Sequence, residues 1–276
     1  LGIKNYGSRT IAMVRNNKEE LNRNFSEILS IHIIFSIIVI FVYLVLLFFF
    51  VEDNLVIFLI QSIYVFAAVF DINWFFFGIE KFKLTVGRNT LVKILSVFLV
   101  LVFVKTQTDL WIYALILALS VFVGQSVVWF ALKQYVSWRR PSWANMKQHI
   151  RPLFVLFLPI LALSLYKYMD KIMLGSISSN VQVGFYENAE KIINVPMSLI
   201  MAFGVVLMPR IANMVTSKDK GEVFKLIDMS MEAVMLLAIA ISFGLAGISF
   251  VLAPIFFGYE FEECGILIMG LAVTVP

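Results

Sequence analysis

Long apolar runs separated by short polar connections dominate the chain. The clearest run, 28–51, contains no Asp, Glu, Lys or Arg. About 20 such residues are enough for a helix to cross a hydrocarbon core roughly 30 Å thick. Lipid offers no hydrogen-bond partners to the backbone, and the runs lack the alternation of barrel strands, so the pattern predicts membrane-spanning helices.

This pattern predicts seven complete spans and part of an eighth. The predicted spans are 26–51, 55–79, 84–104, 109–131, 152–174, 184–213, 223–253 and 264–276. The chain is interpreted as an internal fragment of a longer transporter-like protein.

Basic residues are concentrated in alternate connections between these spans. They lie within 4–23, 81–93, 133–151 and 210–225, whereas the intervening connections carry acidic residues and only Lys105. The positive-inside rule then assigns the four basic connections to the cytoplasm. The alternation also supports the span count, because losing one helix would disrupt it.

The longest basic connection, 132–151, contains Trp138 and Trp143 beside five Lys and Arg residues. This composition is typical of an interfacial segment lying on an anionic leaflet. An ordinary positively charged loop is the alternative, and a linker between two helical bundles is compatible with either.

Composition and motifs narrow the class of protein. Hydrophobic residues make up 61% of the 276 residues and charged residues 14%, which excludes a soluble globular domain. The single Cys264 gives no disulfide framework or metal cluster, and His32 and His149 are isolated. No phosphate loop, nucleophile elbow or HExxH motif is present. We therefore expect a non-enzyme with no cofactor and no nucleic-acid partner.

Ionisable residues inside two consecutive predicted spans are the most informative chemistry. The stretch "LSLYKYMDKIML" carries Lys167, Asp170 and Lys171. A charge at membrane depth costs at least about 2.5–3.5 kcal/mol. We therefore expect these groups to face a bundle interior or an aqueous cavity.

The next span carries a matching polar stripe. Glu187, Lys191, Asn194 and Ser198 follow at spacings of four, three and four, with Glu190 at the edge of the stripe. Two polar-striped helices in succession predict a shared hydrophilic cavity.

Structural explanations of these charges remain open. Lys167 with Asp170, or Glu187 with Lys191, would lock helices as neutralising pairs. Asp170 and Lys171 would alternatively lie near the outer interface. Elsewhere, Asp71 would face a cavity or pair with Arg88 or Lys93.

Several segments resemble the polysaccharide biosynthesis flippases, also called Wzx-type repeat-unit translocases. "YGSRTIAMVRNNKEEL" (6–21) resembles the loop after their second helix, and "FDINWFFFGIEKFKLTVGRNTLVKI" (70–94) resembles the segment leading into their fifth. "LPILALSLYKYMDKIMLG", "VGFYENAEKI" and "LMPRIANM" are similar to their seventh and eighth helices. Each motif is degenerate, but their order and spacing make the resemblance specific across essentially the whole chain.

The resemblance implies an all-α, polytopic membrane protein with a two-lobed exporter fold of 12 to 14 helices when complete. Residues 1–131 would run from the end of helix 2 through helix 6 of the first lobe. Residues 132–151 would join the lobes, and 152–276 would supply helix 7 to part of helix 10.

The function implied is translocation of polyprenyl-diphosphate-linked oligosaccharide repeat units to the outer leaflet of a bacterial or archaeal plasma membrane. A polysaccharide polymerase and chain-length machinery are the implied protein partners. The candidate residues for binding the diphosphate and sugar are Lys167, Lys171, Lys191, Asn194, Arg9 and Arg210. The candidates for ion coupling or structural pairing are Asp71, Asp170, Glu187 and Glu190.

Other functions remain as alternatives. A multidrug or cation antiporter of the same fold would need more acidic groups, whereas intramembrane Lys here matches acid in number. A peptidoglycan lipid-intermediate flippase would carry a chemically similar cargo. A membrane polymerase or glycosyltransferase would normally need a sizeable extramembrane loop with catalytic acids.

Overall fold

The computed structural model describes residues 2–51, 54–217 and 220–276, without the side chains of 50, 204–217, 220 and 222. Every regular element in these ranges is a helix, which confirms the predicted all-α class. Six helical stretches of the described chain are long and apolar enough to cross a membrane, so the protein is polytopic. They are Lys18–Phe49, Leu55–Gly78, Phe82–Phe103, Gln107–Leu132, Trp143–Ile177 and Val223–Phe257.

The helices follow the apolar runs closely. In chain order they are α1 Ile3–Val14, α2 Lys18–Phe50, α3 Leu55–Val69, α4 Asn73–Gly78, α5 Phe82–Phe103, α6 Leu110–Leu132, α7 Trp143–Ile177, α8 Asn180–Ser217, α9 Lys220–Phe257 and α10 Cys264–Ala272. The span predicted at 184–213 lies in α8, which continues through Pro196 and is not among the six stretches. The last predicted run corresponds to the nine-residue α10.

Helix α2 begins before its apolar run because of its cap. The Asn17 side-chain oxygen accepts hydrogen bonds from the backbone N–H groups of Glu19 (3.1 Å) and Glu20 (3.3 Å). Both acidic side chains also lie in the first turn, where the helix dipole favours negative charge. The polar first turns of α2 therefore form part of the helix.

The predicted span at 55–79 divides into α3 and α4, with Asp71 at the break. The Asp71 carboxylate accepts a hydrogen bond from the Asn73 backbone N–H at 3.0 Å, which starts the new helix. The indole N–H of Trp129 donates to the Phe70 carbonyl at 3.0 Å. Polar groups that the break would leave unpaired in lipid are thus satisfied within the protein.

The chain forms two compact units, a first unit up to Leu163 and a second unit from Ser164. Aromatic rings dominate the core of the first unit. The Phe25 ring contacts Phe75 edge-on, at 4.9 Å between ring centroids, and stacks on Trp74 at 5.7 Å. The second has a core of smaller side chains, including Ala189, Ala253 and Cys264, as suits close helix packing in membranes.

Three basic connections meet at one end of the first unit. Arg15, after α1, pairs with Glu80, after α4, at 2.5 Å. Arg139, after α6, pairs with Glu19 at the start of α2 at 3.1 Å. This grouping is the arrangement that the alternation of charge predicts for neighbouring spans, and we call it the basic end of the first unit.

The connection 133–142 is attached to the first unit along α2. The Ser137 backbone N–H donates to the Asn22 side chain, and the Arg139 N–H donates to the Ser26 hydroxyl, both at 2.9 Å. Helix α7 begins at Trp143, so the predicted loop 132–151 is helical over its second half. The division into two lobes joined by this segment stays a prediction.

Close packing of α1 on α4 predicts a strong effect of one added methyl group. A Cβ at Gly78 would lie 2.6 Å from Ile11 Cβ and 2.8 Å from the Ser8 carbonyl oxygen. We expect Gly78→Ala to destabilise the full-length protein by about 1–3 kcal/mol through overpacking. Thermal unfolding in detergent measures this change.

Gly87→Ala is the matched control, because nothing lies within 4 Å of the Cβ it would add to α5. Alanine is the better helix former by about 1 kcal/mol, so this variant should be neutral or more stable. Equal melting temperatures for the two variants would show that α1 and α4 do not pack as described.

Candidate functional site

A charged cluster joins α7 to α8 in the second unit. The Lys171 ammonium group is paired with Glu187 and lies 2.7 Å from the nearer Glu190 carboxylate oxygen. The Lys171 side chain is only 13% exposed, compared with 42% for Glu187 and 24% for Glu190. We call Lys171, Glu187 and Glu190 the Lys171 cluster.

Helix geometry explains this arrangement. Glu187 and Glu190 are three residues apart, so both face the same neighbour of α8. The Lys171 ammonium also lies 5.8 Å from the centre of the Tyr168 ring, within cation–π range. A weaker contact joins the same two helices: the Tyr186 hydroxyl donates to the Asp170 carboxylate at 3.4 Å.

The remaining predicted ligands of this region are exposed on the same two helices. Lys191 donates to the Asn188 side chain at 3.3 Å, while Lys167 and Asn194 are exposed without such a contact in the described residues. Lys167 and Lys191 lie one turn farther from the α7–α8 connection than Lys171 and Glu187 do. Both are within electrostatic reach of Glu187.

The observed ion pairs differ from those that helical spacing favours. Lys167 with Asp170 and Glu187 with Lys191 would pair within one helix, whereas Lys171 pairs across two helices. Of the predicted residues, the structure thus brings Lys171, Glu187 and Glu190 together and leaves Lys167, Lys191 and Asn194 exposed outside that cluster.

Asp71 belongs to a polar network in the first unit. Its carboxylate accepts from the Asn73 amide at 2.6 Å, and that amide oxygen accepts from Arg88 at 2.9 Å. Arg88 also donates to the Gly124 carbonyl at 2.8 Å, and Asn73 donates to Gln125 at 3.0 Å. Asp71 therefore contacts Arg88 through Asn73 rather than directly.

The two arginines among the predicted ligands have different outcomes. Arg9 is exposed on α1 and lines a groove at the basic end of the first unit. The Arg210 side chain lies outside the described side chains.

A buried hydrogen-bonded group was missed by sequence reasoning. Glu27 and His149 are 1% and 3% exposed, and the carboxylate lies 3.0 Å from the ring Nε2. Asn145 donates to the other Glu27 oxygen at 3.0 Å, and the Tyr6 hydroxyl lies 2.6 Å from His149 Nδ1. We call Tyr6, Glu27, Asn145 and His149 the Glu27 network.

The protons of this network can be assigned from chemistry. A carboxylate can only accept, so His149 Nε2 donates to Glu27, and in the neutral imidazole Nδ1 then accepts from the Tyr6 hydroxyl. Burial raises the pKa of the Tyr6 hydroxyl, which keeps its proton at neutral pH. The signal that could have identified this group is Glu27 itself, a carboxylate at the start of a predicted span.

Metal chemistry has no support in the described part of the chain. Its His, Cys, Asp and Glu side chains form no group of three or more placed to hold a metal ion. Cys264 is buried in the core of the second unit as a free thiol.

Comparison with known proteins identifies relatives. Residues 1–215 match the family described as "Polysaccharide biosynthesis protein". A protein of Shigella dysenteriae named "Putative O-antigen transporter" is 25% identical over 95% of this chain and 67% of its own length. One of the same name in Escherichia coli (strain K12) is 27% identical over 71% of this chain and 48% of its own length. No solved structure matches.

Proposed function

Because the chain belongs to the family of polysaccharide biosynthesis proteins, we propose that the full-length protein is a flippase for polyprenyl-diphosphate-linked oligosaccharides. It would carry repeat units from the cytoplasmic to the outer leaflet of a bacterial plasma membrane. The observation that carries this proposal is the family match over 1–215, which includes the charged helices α7 and α8. The chain spans about two thirds of one named O-antigen transporter and about half of the other.

The chemistry of the cargo explains why cationic side chains belong in such helices. A diphosphate and a sugar chain cannot cross hydrocarbon unaided, whereas ammonium groups bind phosphate oxygens through charge-assisted hydrogen bonds. Lys167 and Lys191 are exposed and available for this role, with Asn194 one turn beyond Lys191 to contact sugar hydroxyls. Lys171 holds α7 and α8 together and keeps the site charged.

Carboxylates near these ammonium groups support a coupling role. Glu187 is 42% exposed, so a proton or sodium ion can reach it while it is paired with Lys171. Asp170, Glu190 and Asp71 are the further candidates. Alternating exposure of the site to the two sides of the membrane would couple ion entry to cargo release.

The basic end of the first unit sets the orientation of the protein in the membrane. We propose that this end is cytoplasmic, by the positive-inside rule. The cargo would then be taken up where it is assembled. Delivery at the outer leaflet would make a polysaccharide polymerase and chain-length machinery the partners that act next.

One observation favours an antiporter of cations as the second candidate. The Lys171 cluster contains two carboxylates for one ammonium group, which suits a positively charged cargo locally. Transport of fluorescent cations by the full-length protein in vesicles tests this candidate. Adding Lys167, Lys191 and Asp170 gives three ammonium groups and three carboxylates, so the excess of acid is confined to the Lys171 cluster itself.

The proposal predicts that Lys167→Ala and Lys191→Ala each slow translocation in the full-length protein by at least about tenfold. This is the effect of losing one hydrogen bond to a charged group, about 1.5–3 kcal/mol. Lipid-linked repeat units should accumulate on the inner leaflet, and extraction with leaflet-specific labelling measures them.

Lys147→Ala is the control, since Lys147 is an exposed basic residue of α7 outside the Lys171 cluster. It should leave the leaflet distribution unchanged. Normal surface polysaccharide in both test variants, at normal protein levels, would remove Lys167 and Lys191 from the mechanism.

A further inference from the structure

Three arginines from three different helices surround one groove at the basic end of the first unit. Arg9 comes from α1, Arg23 from the first turns of α2 and Arg151 from α7. The groove has a volume of about 730 Å³ and no carboxylate among the residues that line it. We call it the arginine groove.

In the part of the chain that the structure describes, the side chains of these arginines have no protein partner, unlike those of Arg15 and Arg139. Arg15 and Arg139, at the same end, form ion pairs with Glu80 and Glu19. The side chains of Arg9, Arg23 and Arg151 make no hydrogen bond or ion pair to another described residue. Like charges around one groove repel each other, so an anion bound among them would be favoured.

The Glu27 network fixes the relative positions of the three helices that form the arginine groove. Arg9 follows Tyr6 by three residues, Arg23 precedes Glu27 by four, and Arg151 follows His149 by two. The network joins α1, α2 and α7 through buried hydrogen bonds. The backbone that carries each arginine is therefore fixed within about one turn of the network, so only the side chains lose freedom when an anion binds.

The rest of the lining indicates what kind of anion fits. Met13, Val155 and Leu156 line the groove, and Met13 and Val155 are 68% and 60% exposed. Gln148 and Asn24 add amide groups beside the arginines. A groove with guanidinium groups and an apolar side suits an amphiphile whose anionic head adjoins a hydrocarbon chain, rather than a soluble anion.

We propose that the arginine groove is an entry site that binds the diphosphate of a polyprenyl-linked molecule before transport. The inference rests on the proposed function for the identity of the lipid. Guanidinium forks match phosphate oxygens in pairs, and the first isoprene units would lie on Met13, Val155 and Leu156. The residues of the arginine groove belong to the first unit, and those of the Lys171 cluster belong to the second.

Binding to the full-length protein in phosphatidylcholine nanodiscs tests this site. The probes are polyprenyl diphosphate, phosphatidylglycerol and inorganic pyrophosphate. Arg9→Gln, Arg23→Gln and Arg151→Gln should each weaken binding of polyprenyl diphosphate by at least about tenfold, as for one lost charge-assisted contact. Lys147→Gln, an equal change of charge on α7 outside the groove, should change it by less than about twofold.

The other probes identify the source of the phosphate. Phosphatidylglycerol should bind more weakly and be insensitive to the three substitutions, and pyrophosphate alone should compete only weakly because it lacks the chain. If the three substitutions weakened phosphatidylglycerol binding as much as polyprenyl diphosphate binding, the groove would be a general surface for anionic lipids and the proposal would be overturned. Full competition by pyrophosphate would overturn the role given to the apolar side.

A measurement on the unmodified protein keeps the proposal testable if a variant fails to fold. Its affinity for polyprenyl diphosphate should fall as ionic strength rises, since exposed guanidinium groups are screened by salt. Affinity that is independent of salt, or unchanged in folded variants, contradicts the arginine groove. If repeat units are still translocated in that case, the proposed function stands and only this site is lost.

Discussion

Replacing Lys171 with Met is expected to abolish transport and to destabilise the full-length protein by about 1–3 kcal/mol. The substitution leaves the Glu187 and Glu190 carboxylates side by side on α8, without the ammonium group that pairs with both of them. Partial exposure of both carboxylates keeps the cost below that of a fully buried pair. Thermal unfolding and leaflet-specific labelling of repeat units measure the two effects.

A triple variant separates pairing from cargo binding at this position. Lys171→Met with Glu187→Gln and Glu190→Gln removes the unbalanced charge while keeping the side chains similar in size. We expect stability to return and transport to stay lost, because the charged site is no longer present. Restored transport in the triple variant would reduce the Lys171 cluster to a structural role.

Replacing Glu27 with Ala should give the largest loss of stability, about 2–5 kcal/mol, because it leaves the donors of His149 and Asn145 without an acceptor, at about 1–3 kcal/mol for each buried donor. Glu27 and His149 are almost fully buried, and Asn145 would also lose its acceptor. Chemical unfolding in detergent measures the free energy, and the protein level in membranes reports the same change in cells.

Glu19→Ala is the matched control, because Glu19 is another α2 carboxylate with a side-chain partner, Arg139. Its side chain is 80% exposed, so its removal should cost less than about 1 kcal/mol. Changing Glu27 and His149 together to Leu should cost less than the sum of the two single changes. Equal losses for Glu27→Ala and Glu19→Ala would contradict a buried network.

Most of the fold could be predicted from the sequence, because the backbone of an apolar segment in lipid must satisfy its own hydrogen bonds as a helix. The apolar runs predicted α2, α5 and α6 to within a few residues, except where the Asn17 cap extended α2. The break at Asp71 was not predicted, since the residues on both sides are equally apolar. It depends on hydrogen bonds from Asn73 and Trp129, which tertiary packing supplies.

The site was predictable only in part. The cost of a charge in lipid singled out Lys171, Glu187 and Glu190 in the sequence, and the structure pairs these three side chains. Which of them pair depends on how α7 and α8 are rotated against each other, and residue spacing along one helix does not contain that information. Glu27 and His149 are 122 residues apart, so no local pattern connects them.

The most direct measurement uses full-length protein in proteoliposomes loaded with a polyprenyl-diphosphate-linked repeat unit. Accessibility of the sugar to an added lectin follows its movement between leaflets over time. The account predicts that the unmodified protein equilibrates the lipid across the bilayer, while a Lys167→Ala, Lys191→Ala double variant, folded and inserted normally, resembles empty liposomes. Movement at the empty-liposome rate with the unmodified protein, or at the full rate with the double variant, would contradict it.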